Sequence, residues 1–144
     1  MIYQAVDVAK HIVTYSNQQN KPVSNLKLQK ILYFTWIDYF KKTSNYLFDD
    51  EFCAWGFGPV VPAVYRNFCI YAGTPITREY QVEIKPEDTD ILNGIIGKYL
   101  DFSASELVGK THEKGHAWDQ IFDNGKGKQA VIPFDLIKSL ECGS

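Results

Sequence analysis

The sequence predicts a mainly α-helical fold, one compact domain around a central apolar helix with minor short β strands. Three observations carry this. The chain has 144 residues, a one-domain length that can bury one sizeable core. Apolar residues recur at helical spacing in several capped segments, the longest spanning 25–42. Alternating, strand-like patterning is confined to short runs. With 45% hydrophobic and 22% charged residues the composition is that of an ordinary globular protein, so no long disordered stretch is expected. No internal repeat, low-complexity tract or linker divides it, and 1–144 reads as a single domain.

In chain order, Ala5 to about Gln18 reads as a helix, with Ala5, Val8, Ala9, Ile12, Val13 and Ser16 on one side. Ser24 is an N-cap for a second helix from Asn25 to about Lys42. Its apolar side holds Leu26, Leu28, Leu32, Tyr33, Trp36, Ile37, Tyr39 and Phe40; the other holds Lys27, Lys30, Asp38, Lys41 and Lys42. Such an apolar helix belongs at the centre of a fold. Tyr46–Phe48 and Phe52–Trp55 are short extended pieces, and Gly56-Phe57-Gly58-Pro59 is a turn. Pro62 opens a third helix that runs to about Ala72 and stops at Gly73. Tyr80, Val82 and Ile84 alternate with polar residues, which predicts a short half-exposed strand. Pro86 opens a fourth helix with a stripe of Ile91, Leu92, Ile95, Ile96 and Tyr99. Gly94 and Gly97 each lower its propensity by about 1 kcal/mol relative to Ala, a cost that close packing on a neighbour would explain. Ser103 caps a short helix toward Thr111, and Ala117–Phe122 reads as another short turn. After the Gly-rich loop 124–128 and Val131-Ile132-Pro133, a last helix runs from Phe134 to Glu141.

The bulk numbers exclude some functions. Net charge is −2 without a long basic run, so strong nucleic-acid binding is not expected. Cys53, Cys69 and Cys142 are odd in number and lack C-x-x-C spacing, which argues for reduced thiols rather than a disulfide framework or a zinc site. The N-terminus lacks a basic segment followed by an apolar run, and no stretch is apolar enough to span a bilayer. A cytoplasmic location without membrane contact is the expectation. The aromatic fraction, 15%, suits either a core of flat side chains or a contact surface made of them.

Little else points to catalysis. His112-Glu113-Lys114-Gly115-His116 matches H-E-x-x-H, in which two His one helical turn apart bind zinc and the Glu activates a metal-bound water. The context is poor: Gly115, Lys114 and Gly109 weaken a helix there, and a third ligand would have to come from Asp135 or Glu141. A zinc-dependent hydrolase is therefore a lesser alternative, and no metal or other cofactor is expected. Gly56–Pro59 lacks the spacing and the Lys-Ser/Thr of a phosphate loop, and Pro59 removes an N–H donor. No local signature pairs a Cys with His11, His112 or His116. Gln29 is a polar residue on an apolar face and needs hydrogen bonds. It either bonds backbone of the Gly56–Pro59 turn or lies in a shallow partner-binding cleft. Ile31 and Phe34 lie among charges, either covered by another segment or exposed as a contact patch.

Three motifs resemble one family. Leu26-Lys27-Leu28-Gln29-Lys30-Ile31-Leu32-Tyr33-Phe34 is similar to its LKLQKLLYF helix. Ala54-Trp55-Gly56-Phe57-Gly58-Pro59-Val60-Val61-Pro62 with Val64-Tyr65 is similar to its AWxxGPVVPxVY segment. Leu107, Thr111-His112 and Trp118 resemble its L-x3-T-H element followed by Trp, with Ala117 where members often have Pro. The chain thus resembles the Panacea, or SocA-like antitoxin, domain, also called phage-associated GepA-like. The resemblance implies a mainly helical antitoxin of a bacterial or prophage toxin–antitoxin system that binds its protein toxin directly. One branch delivers the toxin as a proteolytic adaptor to a ClpXP-type protease. A toxin encoded by the adjacent gene is then the expected partner, and a phage or mobile-element protein that binds a host factor is the alternative. No catalytic residue or metal is implied, and the second His of H-E-x-x-H is outside the family pattern. The motif residues are Leu28, Gln29, Lys30, Tyr33, Trp55, Gly58, Pro59, Tyr65, Thr111, His112 and Trp118. They fit roles in folding as well as in binding. A domain that accepts diverse toxins should vary its exposed surface, so Ile31 and Phe34 with Lys27, Lys30 and Lys41 form the expected contact face.

Overall fold

The structure is a computed structural model and describes residues 2–143. Seven α-helices and a three-stranded antiparallel sheet are formed among these residues. The helices are α1 Ala5–Gln18, α2 Asn25–Thr43, α3 Pro62–Phe68, α4 Pro86–Leu100, α5 Ala104–Thr111, α6 Ala117–Phe122 and α7 Phe134–Glu141. The strands are β1 Phe52–Trp55, β2 Gly58–Val60 and β3 Val131–Ile132, in the order β2-β1-β3.

Helix α2 is the axis, and α1, α3, α4, α5, α7 and β2 all pack on it. Its start is fixed by Ser24, whose hydroxyl accepts from the Lys27 backbone N–H at 3.3 Å. Its end is fixed by Ser44 in the left-handed conformation. Trp36 is fully buried and donates to the Phe48 carbonyl at 2.9 Å. Its ring stacks on Phe40 from its own helix and on Phe134 from α7. Helix α1 buries the predicted residues Ala5, Val8, Ala9, Ile12, Val13 and Ser16. Asp88 in the first turn of α4 accepts from Tyr3 at 2.7 Å and from Tyr39 at 2.9 Å, which joins three segments at one carboxylate.

Several local expectations are corrected. Gly58 and Pro59 are not turn residues. They form the start of β2, with Trp55 paired to Gly58 and Ala54 to Pro59, and only Gly56-Phe57 make the turn. Tyr46–Phe48 forms no strand beyond a single parallel bridge between Phe48 and Tyr3. Residues 80–85 keep the alternation of half-buried and exposed side chains but meet no partner strand, so no ladder forms. Helix α3 ends at Phe68 and passes into a 3₁₀ turn, Cys69–Tyr71. Gly94 faces open space, and a Cβ on Gly97 would make only an ordinary contact with the Tyr15 hydroxyl. Close packing therefore does not account for either glycine.

The side of α2 that carries lysines is a solvent face only at its C-terminal end, at Lys41 and Lys42. Helices α4 and α5 cover the rest. Ile31 is fully buried, and Phe34 is half-buried and stacks on Tyr99 of α4 at 5.1 Å. Lys27 donates to the Leu100 carbonyl at 3.0 Å. Lys30 is fully buried against β2. Of the expected contact face Lys27, Lys30, Ile31, Phe34 and Lys41, only Lys41 is exposed. The charge pattern misled because α2 is enclosed on nearly every side, and lysine stems and heads are absorbed by carbonyls of neighbouring segments.

Candidate functional site: a polar knot beneath an aromatic cleft

The three sequence motifs converge around the β1–β2 hairpin. Gln29 is buried, accepts from the Val61 backbone N–H at 3.2 Å and donates to the Asn25 side chain at 3.0 Å. Asn25 in turn donates to the Tyr65 carbonyl at 3.1 Å. These bonds clamp α2, the end of the hairpin and α3 together. Gln29 thus serves the backbone just beyond the turn, at Val61 rather than within Gly56–Pro59.

At the next position, Lys30 donates to the Pro59 carbonyl at 2.8 Å. Burial pushes its ammonium pKa down to about 7. The close approach is made possible by Gly58, at φ +113°: a Cβ there would lie 3.1 Å from Lys30 Nζ and 2.6 Å from Thr111 Oγ1. Thr111 is buried at the end of α5, where its hydroxyl donates to the Val108 carbonyl at 2.7 Å. His112 follows. Its ring stacks on Trp118 with centroids 3.8 Å apart, and Trp118 donates to the Trp55 carbonyl at 2.7 Å. The His112 Nε2 atom is buried without a partner, and burial together with the nearby Lys30 charge lowers its pKa. The Tyr33 hydroxyl is also buried without a partner, and its pKa is raised chiefly by burial. Leu28 is fully buried in the core.

The H-E-x-x-H string does not form a metal-binding helix. His112 terminates α5 and His116 precedes α6, with Gly115 at φ +83° between them. His116 faces Glu141 through Nδ1 at 2.9 Å and Glu113 through Nε2 at 3.3 Å. The Glu141 carboxylate also accepts from the Ala117 N–H at 2.9 Å, so it caps the start of α6. Among the described residues, no group of three or more His, Cys, Asp or Glu side chains is placed to hold a metal ion. Cys53, Cys69 and Cys142 are free thiols.

Directly above the knot lies a cleft of about 600 Å³ between the N-terminal end of α2, the hairpin turn and the 72–73 segment. Gln29, Trp55 and Tyr65 reach it from the motifs, and Leu26, Phe57 and Lys128 complete much of its lining. Trp55 and Tyr65 are in contact, with ring centroids 5.0 Å apart. Phe57 at the hairpin tip is 70% exposed, and Ile70, just before the wall formed by Ala72, is 87% exposed. Neither Phe57 nor Lys128 stood out in the sequence as a binding residue. The signal for Phe57 is its position in a two-residue hairpin turn, a place that usually lies at the surface. No helix among the described residues is long and apolar enough to cross a membrane.

Comparison with known proteins agrees with the motif reading. Residues 28–119 match the family described as antitoxin SocA-like, Panacea domain. The chain is 37% identical to Antitoxin SocA of Caulobacter vibrioides (strain NA1000 / CB15N), over 86% of this chain and 74% of that protein. No solved structure matches it. The matched span contains the Gln29–Val61 clamp, the Lys30–Pro59 bond and the Trp118–Trp55 bond, and on this basis the chain belongs to the SocA-like antitoxin, Panacea domain family.

Proposed function

We propose that this chain acts in the cytoplasm as the antitoxin of a toxin–antitoxin pair and silences a protein toxin by direct contact at the cleft beside Trp55 and Tyr65. Family membership supports the antitoxin role. The observation that carries the contact surface is Phe57, a large apolar side chain left 70% exposed at the lip of a concave aromatic surface. Aromatic side chains in a pocket are the usual anchors of protein interfaces, because they bury much area at small entropic cost. The buried knot beneath holds the hairpin rigid, so the cleft is preformed and binding does not have to order it. The functional alternative for Gln29, a place in a partner-binding cleft, is therefore compatible with its structural one, since the same amide clamps the floor.

The test is co-expression with the product of the adjacent gene. The toxin alone should arrest growth, and this chain should restore it and co-purify as a stable complex. A neighbour that is harmless alone and does not co-purify would overturn the reading. Toxin lifetime separates two routes to neutralisation: an unchanged lifetime supports direct silencing, whereas faster loss that needs a ClpXP-type protease supports delivery by an adaptor.

A further inference from the structure

The electrostatics of the cleft specify the chemistry of its occupant. Much of its lining is apolar, from Leu26, Trp55, Phe57 and Tyr65, with the uncharged polar groups of Ser24, Asn25 and Gln29 beside them. Lys128 is the one charged residue on the lining, and no carboxylate faces the cleft among the described residues. That is a local departure, since the whole chain has 17 acidic against 15 basic residues. The N-terminal end of α2 opens onto the same space through Ser24 and Asn25, and its first turn contains no acidic residue. The positive end of this helix is thus not neutralised from within its own first turn. An incoming ammonium or guanidinium would meet Lys128 without a counter-charge on the lining, whereas a carboxylate would meet a lysine of opposite sign.

We propose that the cleft receives a short segment of the protein toxin in which a large apolar side chain is followed closely by Asp or Glu, the apolar group lying against Trp55 and Tyr65 and the carboxylate against Lys128. This rests on the antitoxin reading and names the chemistry of the partner at that site. A cleft of about 600 Å³ accommodates a few side chains, which fits a single segment better than a broad flat face.

The experiment is selection of random short peptides displayed on phage against the full-length chain, followed by affinity measurement with the selected peptides. The wild type should enrich peptides that pair an aromatic or large aliphatic residue with a neighbouring Asp or Glu. Lys128→Glu should weaken those peptides roughly tenfold and, in a fresh selection, enrich Lys or Arg in place of the acid. Phe57→Ser should weaken both kinds. Both residues are exposed, so neither change threatens the fold. Failure to enrich any peptide, enrichment without acidic residues, or indifference to Lys128→Glu would overturn the proposal. If the wild type still restores growth against its toxin in that case, the antitoxin reading stands and only the proposed occupant is lost. If the wild type fails to restore growth, the antitoxin reading is what falls.

Discussion

The ammonium of Lys30 lies 2.8 Å from the carbonyl oxygen of Pro59, fully shielded from water. One acceptor for a group with three donors is poor compensation for lost hydration. The fold accepts this where α2 meets β2, and the energetic consequence depends on pH.

Lys30 titrates near pH 7 in the folded protein, against 10.5 as its ordinary value. Below about pH 7 both folded and unfolded chains carry the proton, and the burial penalty is present in full. Between the two values the unfolded chain binds more protons, so stability rises with pH. We predict a rise between pH 7 and about 8.5 in urea denaturation, before the Cys53 and Cys142 thiols, whose pKa values burial raises, contribute the opposite slope. Lys30→Met should flatten that rise and stabilise the protein at pH 7 by about 1–3 kcal/mol, the unpaired Pro59 carbonyl offsetting part of the gain. An unchanged pH slope in Lys30→Met would assign the rise to other groups.

Gly58 provides the second prediction. A Cβ there would collide with Thr111 and press on Lys30, and the backbone has φ +113°. Gly58→Ala should cost about 2–4 kcal/mol through steric overlap and backbone strain together. Gly73→Ala is the control: nothing lies within 4 Å of its Cβ position, and its change should be within about 0.5 kcal/mol. Equal losses at both positions in chemical denaturation would contradict the packing account.

Much of this frame is legible in the sequence, and the reason is local. Ser24, Pro62, Pro86 and Ser103 mark helix starts by cap chemistry, and all four helices begin there. Helix α1 repeats its buried stripe at helical spacing without interruption. What the pattern hides is long-range. Nothing local says that α4 and α5 cover the lysine side of α2, or that a lysine next to Gln29 points inward at a proline carbonyl. The 80–84 alternation looks like a strand because half-burial alone produces the pattern, whether or not a partner strand is present. The motif residues Gln29, Gly58 and Trp118 could be picked out, but their mutual bonds are set by tertiary contacts across three elements.

Gln29 should be intolerant of apolar replacement. Gln29→Leu leaves the Val61 N–H without its side-chain acceptor and the Asn25 oxygen without its donor. The expected loss is about 1–3 kcal/mol. Gln29→Glu keeps an acceptor for Val61 but buries a carboxylate against the Asn25 oxygen, so near neutral pH it should be no more stable than Gln29→Leu and should recover as the carboxyl is protonated in acid. Thermal unfolding of the pair at neutral and acid pH checks this.

His116 should be dispensable for zinc and for neutralisation. It faces Glu113 in the α5–α6 turn and Glu141 at the end of α7, and it does not share a helix with His112. Metal analysis of the purified protein should find zinc well below one equivalent. His116→Ala should lower stability by only about 0.5–1 kcal/mol, because the imidazole is partly exposed, and growth rescue should be unaffected. Stoichiometric zinc lost in His116→Ala would reinstate the hydrolase reading.

The choice between two surfaces is decided by Phe57 and Lys41. The lysine side of α2 offers Lys41 alone as a freely exposed residue from the face first expected to touch the partner, because helix packing has removed Ile31 and Lys30. A single surface lysine contributes little to affinity when its charge remains hydrated. Phe57 has the opposite profile: its ring is 70% exposed while the chain stands alone, and the cleft beside it is already shaped. Covering such a ring in a well-packed interface is worth on the order of 2 kcal/mol or more. Phe57→Ser should therefore weaken toxin binding by about 30-fold or more and impair growth rescue, with thermal stability unchanged or slightly raised. Lys41→Glu should leave rescue intact and change affinity by less than about fivefold. The reverse outcome would return the contact to the α2–α4 side, beside the groove that Lys41, Lys42 and Lys98 line there.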